Sequence, residues 1–252
     1  MTDAAQPTAD SGRWIRFALV MLPIGTILLG IASFGIWQWK KDQAADRSFK
    51  YAMALRRPIT LEGIQRHADV VRGALAKPDW HLSIPGYLES TMGAENMGYT
   101  VRRTRFGNEQ SNIDAELTGK TRPREIVMAL VLYDGDPTRF IRTSHAIAEL
   151  LSIAHEVTGE SVVRGLRFAV IPNTADALTQ MKEGFRRDDE RLMHLFVLGS
   201  PPAGSLNQIH VMLDTAAKGT RVVSRQATST PQETLQSAHE LKALLFYAAE
   251  RS

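Results

Sequence analysis

The chain has 252 residues, no cysteine, and 30 basic against 27 acidic side chains. Its 44% apolar and 23% charged content is that of a folded globular protein. Absent cysteine excludes disulfides and thiol nucleophiles, leaves the redox compartment open, and means that a zinc site would need His and carboxylates; a formal net charge of +3 is too small to point to a nucleic-acid partner.

Residues 1–16 read as a polar N-terminal tail. From Phe17 to Trp37 no residue is charged over 21 positions. As a helix that stretch spans roughly 30 Å, the thickness of a bilayer's hydrocarbon core. Trp14 stands at one end, Trp37 and Trp39 at the other, where indole rings suit the headgroup region. Arg13 and Arg16 precede the span, and Lys40 and Lys41 follow it. A cleaved signal peptide normally has an apolar core of only about 7–15 residues, so residues 17–39 read as an uncleaved transmembrane signal-anchor. Gly25, Gly30 and Gly35 are five apart, so no GxxxG dimerisation motif is present.

Residues 40–57 hold six basic and two acidic side chains, a net of +4; residues 1–16 net zero, so 58–252 net −1. The basicity is a juxtamembrane collar suited to anionic headgroups or to a solvated helical extension. Two readings of orientation stand against each other. The positive-inside rule favours residues 40–57 inside. A short polar tail before a lone anchor is the usual layout of a bacterial inner-membrane protein with an exported, periplasmic domain, and that is the localisation expected here.

Beyond the collar, residues 58–252 read as one domain, enough for a substantial core. Ile59 to Ala76 has helical spacing, with Leu61, Ile64, Ala68, Val71 and Leu75 on one face. Ile84 to Met97 is a weaker helix. Residues 99–101 and 112–117 read as strands joined through a turn at Gly107-Asn108. Ile126 to Tyr133 is an unbroken apolar run, the mark of a strand buried on both faces. Phe140 to Val157 is a helix, Leu166 to Ile171 a second buried strand, and Asn173-Thr174 can cap a helix over 174–186. Residues 194–198 and 208–213 read as two further strands. Thr230-Pro231-Gln232-Glu233 is a capping box with proline at the first helical position, opening a helix to about Ala249. Strands alternating with helices of this length argue an α/β sandwich around a mixed sheet.

Motif chemistry is thin. The chain lacks a P-loop and the GxGxxG, GxSxG and HExxH motifs. His145 and Glu149 lie one helical turn apart and could offer a two-ligand metal face. Asp134-Gly135-Asp136 follows the buried strand at its carboxyl end, where open α/β sheets bind ligands, or forms an ordinary acidic turn. The run from Arg186 to Arg191 reads as a solvated, self-neutralising loop.

The order of elements from about 60 to 250 resembles the di-zinc aminopeptidase family, which includes bacterial leucyl aminopeptidases and glutamate carboxypeptidase. The residues that carry the resemblance are Gly98-Tyr99-Thr100-Val101, Asn112-Ile113-Asp114-Ala115-Glu116-Leu117-Thr118-Gly119, Leu132-Tyr133-Asp134, Arg142 to Ala154, and Arg167-Phe168-Ala169-Val170-Ile171. The resemblance implies a three-layer sandwich with a mixed, mostly parallel sheet. In the family, two zinc ions are held by a His, a bridging Asp, a Glu, a second Asp and a final His, and a further Glu is the general base. By alignment those positions hold Leu132, Arg142, the pair Asn173-Thr174, Phe196 and Arg225. Only Asp134, which in the family orients the first His, persists. Leucine and phenylalanine cannot ligate zinc and a guanidinium repels it, so the resemblance implies the peptidase fold without its zinc cofactor or its chemistry.

The function expected is therefore that of a membrane-anchored, non-catalytic pseudo-peptidase, a binding or scaffold module partnered by the bilayer and by a membrane or periplasmic protein. The alternatives are a metallohydrolase with a rearranged site drawn from His145, Glu149, Asp134, Asp136 or His194, and a ligand sensor using the old cleft. A buried cation needs a partner, so Arg142 or Arg225 is expected to pair with Asp134 or Asp136.

Overall fold

A computed structural model describes residues 33–34, 36–40, 51, 53–107, 109–199, 201, 204–213, 219–226 and 228–250. The chain divides into two units, Met1–Lys50 and Tyr51–Ser252. In the first, residues 33–34 and 36–40 are helical and exposed, Trp37, Trp39 and Lys40 among them. The rings of Phe34 and Trp37 lie 5.8 Å apart. Most of the expected span, with Trp14 and Lys41, falls outside the described residues. Among the described residues no helix is long and apolar enough to cross a membrane.

The second unit is built on six strands: β1 (Val101–Phe106), β2 (Gln110–Leu117), β3 (Arg122–Tyr133), β4 (Arg164–Pro172), β5 (Arg191–Leu198) and β6 (Arg221–Ser224). Their order is β1-β2-β4-β3-β5-β6. The pairs β1/β2 and β2/β4 are antiparallel; β4/β3, β3/β5 and β5/β6 are parallel. The helices are α1 (Leu61–Leu75), α2 (Trp80–Met92), α3 (Phe140–Val157), α4 (Ala175–Arg187), α5 (Ser205–Met212) and α6 (Pro231–Glu250).

Alternation along the central strands sorts the helices into two layers. Val127, Ala129, Val131 and Tyr133 of β3, with Leu166, Phe168 and Val170 of β4, join one core with α1, α2, α3 and α6. Ile126, Met128, Leu130 and Leu132, with Ala169 and Ile171, join a second core with α4 and α5. In β5 the register against β3 slips between Leu192 and His194, leaving Met193 as a one-residue bulge. The bulge lets Leu192 share the second core with Leu195 and Val197.

The helix ends follow their caps. Thr60 Oγ1 accepts from the Gly63 N–H at 3.1 Å at the start of α1. Thr174 Oγ1 accepts from Ala177 N–H at 3.2 Å at the start of α4. At α6 the capping box forms as expected: Glu233 N–H donates to Thr230 Oγ1, and the Glu233 carboxylate accepts from Ser229 N–H, each at 3.3 Å.

Two expectations are corrected. Residues 208–213 are not a strand: 208–212 belong to α5 and Leu213 is its C-cap, and Ile209 and Leu213, one turn apart, both enter the second core. The weak helix begins at Trp80 and ends at Met92, where Gly93 caps it, and Pro85 lies inside it. Strand β6 adds an element the pattern does not predict, since only Val222 and Val223 are apolar over its four residues. The β1–β2 hairpin turns where expected, with left-handed φ at Gly107 (51°) and Glu109 (63°).

Between α1, α2 and α3 lies a histidine pair. His67 Nδ1 is 2.7 Å from the Tyr87 hydroxyl. Burial pushes His67 down to about 4, and the charges of Arg66 and His155 add to it. His155 is lowered too, by burial and then by Arg57. The unfolded imidazole keeps its ordinary value of 6.5, so between about 4 and 6.5 the unfolded chain binds more protons. Stability from this site is fully present above pH 6.5 and falls as pH drops toward 4. A His67→Gln variant should therefore show a shallower loss of melting temperature than the parent when a thermal-melt series is run across that window.

Candidate functional site

Parallel pairing of β3 and β4 ends level, Tyr133 opposite Pro172, and Asn173 N–H donates to the Tyr133 carbonyl at 2.8 Å. Two loops thus leave the sheet together. In the first, Asp134 Oδ1 accepts from Asp136 N–H at 3.1 Å. Asp136 caps the short 3₁₀ turn Pro137–Arg139, accepting from Thr138 N–H at 3.0 Å and Thr138 Oγ1 at 2.8 Å. The Arg139 guanidinium closes the loop, with Nη2 2.8 Å from Asp134 and Nε 2.9 Å from Asp136. Hydrogen bonds from Thr138 and then Arg139 hold the Asp136 carboxyl below its ordinary range. Trp80 lies across this turn: a Cβ on Gly135 would sit 2.7 Å from its Nε1. Its ring meets Tyr133 edge-on at 5.7 Å.

In the second loop Asn173 Oδ1 accepts from Ser205 Oγ at 3.1 Å, joining the starts of α4 and α5. Thr174 is spent as the cap of α4. Leu132 is 8% exposed and belongs to the second core. Phe196 lies inside β5 opposite Ala129, three residues before the level of Leu132, and belongs to the other core. These two aligned positions therefore lie on opposite faces of the sheet.

Arg142 is exposed on the first turn of α3, and no ion pair among the described residues includes it. Arg225 N–H donates to the Val197 carbonyl at 2.9 Å. Its Nη2 donates to Ser237 Oγ at 3.2 Å and pairs with Glu240 at 3.0 Å. The expected plug is thus corrected. Asp134 and Asp136 are closed by Arg139, and Arg225 is held by α6. Arg139 stands three residues after Asp136, at the end of the 3₁₀ turn that Pro137 starts.

The other candidates are also occupied. Ser237 Oγ donates to Glu149 Oε1 at 2.7 Å. Burial pushes the Glu149 carboxyl up to about 7. His145 Nδ1 is 2.7 Å from Thr234 Oγ1, and its pKa is lowered by burial. His145 and Glu149 share one face of α3, but each faces its own hydroxyl on α6. His194 sits on β5 beside Arg221 of β6. Among the described residues no three His, Asp or Glu side chains come together as a metal cage.

The aligned residues do not fit a zinc pair. Two have no donor atom, two are cations, Asn173 and Thr174 are neutral and engaged, and both oxygens of Asp134 already accept bonds.

No protein-family model matches the sequence, and no curated protein does. Solved structures do. A protein described as a zinc-dependent exopeptidase from Bacteroides vulgatus superposes with a TM-score of 0.56 at 10% identity, over 78% of this chain and 98% of that one. LapA from Legionella pneumophila gives 0.55 at 10% identity, over 83% and 77%. The fold is zinc-aminopeptidase-like. LapB from the same organism, 13% identical, scores 0.47, and this chain spans 61% of it, less than two thirds. At such identities the likeness concerns the architecture alone, and the chemistry of the aminopeptidase-like domain rests on its own side chains.

Two measurements check this site. Arg139→Ala should cost about 1–2 kcal/mol of stability, while Arg142→Ala should stay within about 0.5 kcal/mol of the parent by chemical denaturation. Glu149 has a folded pKa above its ordinary 4.5, so its stabilising contribution is complete below pH 4.5 and is lost as pH rises through about 7. Glu149→Gln should accordingly stabilise the protein at pH 8, by about 2 kcal/mol, and change little at pH 4.5.

Proposed function

We propose that this protein is a membrane-anchored, non-catalytic pseudo-peptidase whose aminopeptidase-like domain serves as a binding or scaffold module. One observation carries the reading: the positions that would hold zinc in the related fold are apolar, cationic or engaged in structural hydrogen bonds, and the one retained acid, Asp134, is closed by Arg139. Without zinc there is no Lewis acid and no low-pKa water for peptide hydrolysis. The 21 uncharged residues from Phe17 to Trp37, with exposed Trp37 and Trp39 at their carboxyl end, support a single-pass anchor in a bacterial inner membrane. The domain then stands in the periplasm, as a subunit of a membrane protein complex. Its partners are the bilayer and another membrane or periplasmic protein.

Elemental analysis of the purified full-length protein should find less than stoichiometric zinc, and aminoacyl substrates should not be cleaved. Two metals per chain, or a cleavage activity abolished by chelation, would instead establish a working metallohydrolase with a rearranged site. Carbonate washing should leave the protein with membranes, and deletion of residues 1–57 should release it. Full-length protein in the soluble fraction would overturn the anchor.

A further inference from the structure

Alternation sends every second residue of β5 and β6 to the α6 side of the sheet. His194 and Phe196 of β5 stand there, level with Arg221 and Val223 of β6. The register therefore makes two rows. His194 beside Arg221 is polar; two residues further along, Phe196 beside Val223 is apolar. Phe196 is only 5% exposed, and Val223 is half-buried against the same core. On α6, Leu244, Tyr247 and Ala248 share one face at spacings of three and four and form the opposite wall. Leu244 is 42% and Tyr247 58% exposed, so this wall is not sealed into the core.

Between strands and helix lies a groove of about 210 Å³. One water needs only about 10–15 Å³, so the groove has room for an alkyl chain of several carbons. Its floor is hydrocarbon, and its cation stands at one end. No carboxylate lines it, and no ion pair among the described residues includes Arg221, which is exposed.

A guanidinium at the mouth of an apolar groove selects an anion carried on a hydrocarbon tail. A cation would be repelled. A peptide backbone laid along the groove would meet only apolar side chains over Phe196 and Val223, leaving its polar groups without partners. One guanidinium matches one carboxylate, which it can hold in bidentate fashion. We infer that this groove is a binding site for an alkyl carboxylate, with the acid group at Arg221 and the chain over Phe196 and Val223 against Leu244. Phe196 is the one aligned zinc position it contains, and there it serves as hydrocarbon floor. The site stands independently of the zinc and anchor readings.

Calorimetric titration at pH 8 tests it, with butanoate, hexanoate and octanoate as probes and hexylammonium as the control. The full-length protein is held in phosphatidylcholine nanodiscs, and empty nanodiscs give the blank. Saturable one-to-one binding of hexanoate is expected, with affinity rising about fourfold for each added methylene along the series. Hexylammonium should not bind. Arg221→Gln should keep the melting temperature and weaken hexanoate binding roughly two- to fivefold. Leu244→Glu replaces an exposed wall residue with a carboxylate, and should abolish binding while the protein melts as the parent does. Nα-acetyl-Ala-Leu carries the same acid group on a peptide; tighter binding of it than of hexanoate would overturn the alkyl-acid assignment in favour of a peptide carboxyl terminus. No saturable binding of hexanoate, an equal response to hexylammonium, no dependence on chain length, or undiminished binding in Arg221→Gln would overturn the site.

Discussion

From Ile126 to Tyr133 every residue of strand β3 is buried, and a strand in that position needs cover on two sides. That need organises the domain. Each fully buried aliphatic side chain there contributes about 2 kcal/mol, but only if helices close both faces. The chain supplies α1, α2, α3 and α6 for one face and α4 and α5 for the other. Parallel pairing with β4 and β5 brings the carboxyl ends of three strands to one edge of the sheet. The loops after Tyr133 and Pro172 are joined there by the Asn173–Tyr133 backbone hydrogen bond.

In open α/β sheets the carboxyl ends of the strands are where ligands bind. In this chain they are a place for structure. Asp134, Asp136, Asn173 and Thr174 all act on their own backbone or on the neighbouring turn. The two carboxylates are paired by Arg139, a planar cation able to engage both at once. Deeper in the first layer, Glu149 and His145 are held by hydroxyls of α6. Their titrations pull stability in opposite directions. The carboxyl favours the folded state in acid and the histidines favour it toward neutrality, so the two limbs set a bounded pH range for the fold.

Much of this was legible from residue order. The helix Phe140–Val157 and the capping box at Thr230 follow from periodicity and from donor–acceptor chemistry that is local in sequence. So does the two-faced burial of β3. What failed was short or ambiguous: an eight-residue helix whose apolar residues fit either period, and a four-residue edge strand. At the site, residue types at the aligned positions already told against zinc. Asp134 pairs with Arg139, five residues on, rather than with a distant arginine, because the turn at Pro137 folds the chain back on itself. The ion pairs of buried Arg167 with Glu116 and Glu190 are illegible in residue order for a different reason: they join β4 to β2 and to the loop before β5, and only the sheet order makes these neighbours.

The bulge at Met193 bears on how the domain tolerates changes of length. Face alternation has a period of two, so losing one residue from a strand ordinarily turns half of it inside out. In β5 the extra residue has already been absorbed. Removing Met193 would leave Leu192, Leu195 and Val197 on the α4 side and Phe196 and Leu198 on the α3 side, in unbroken alternation. The first half of β5 is thus a place where the sequence can shorten by one residue without re-sorting either core.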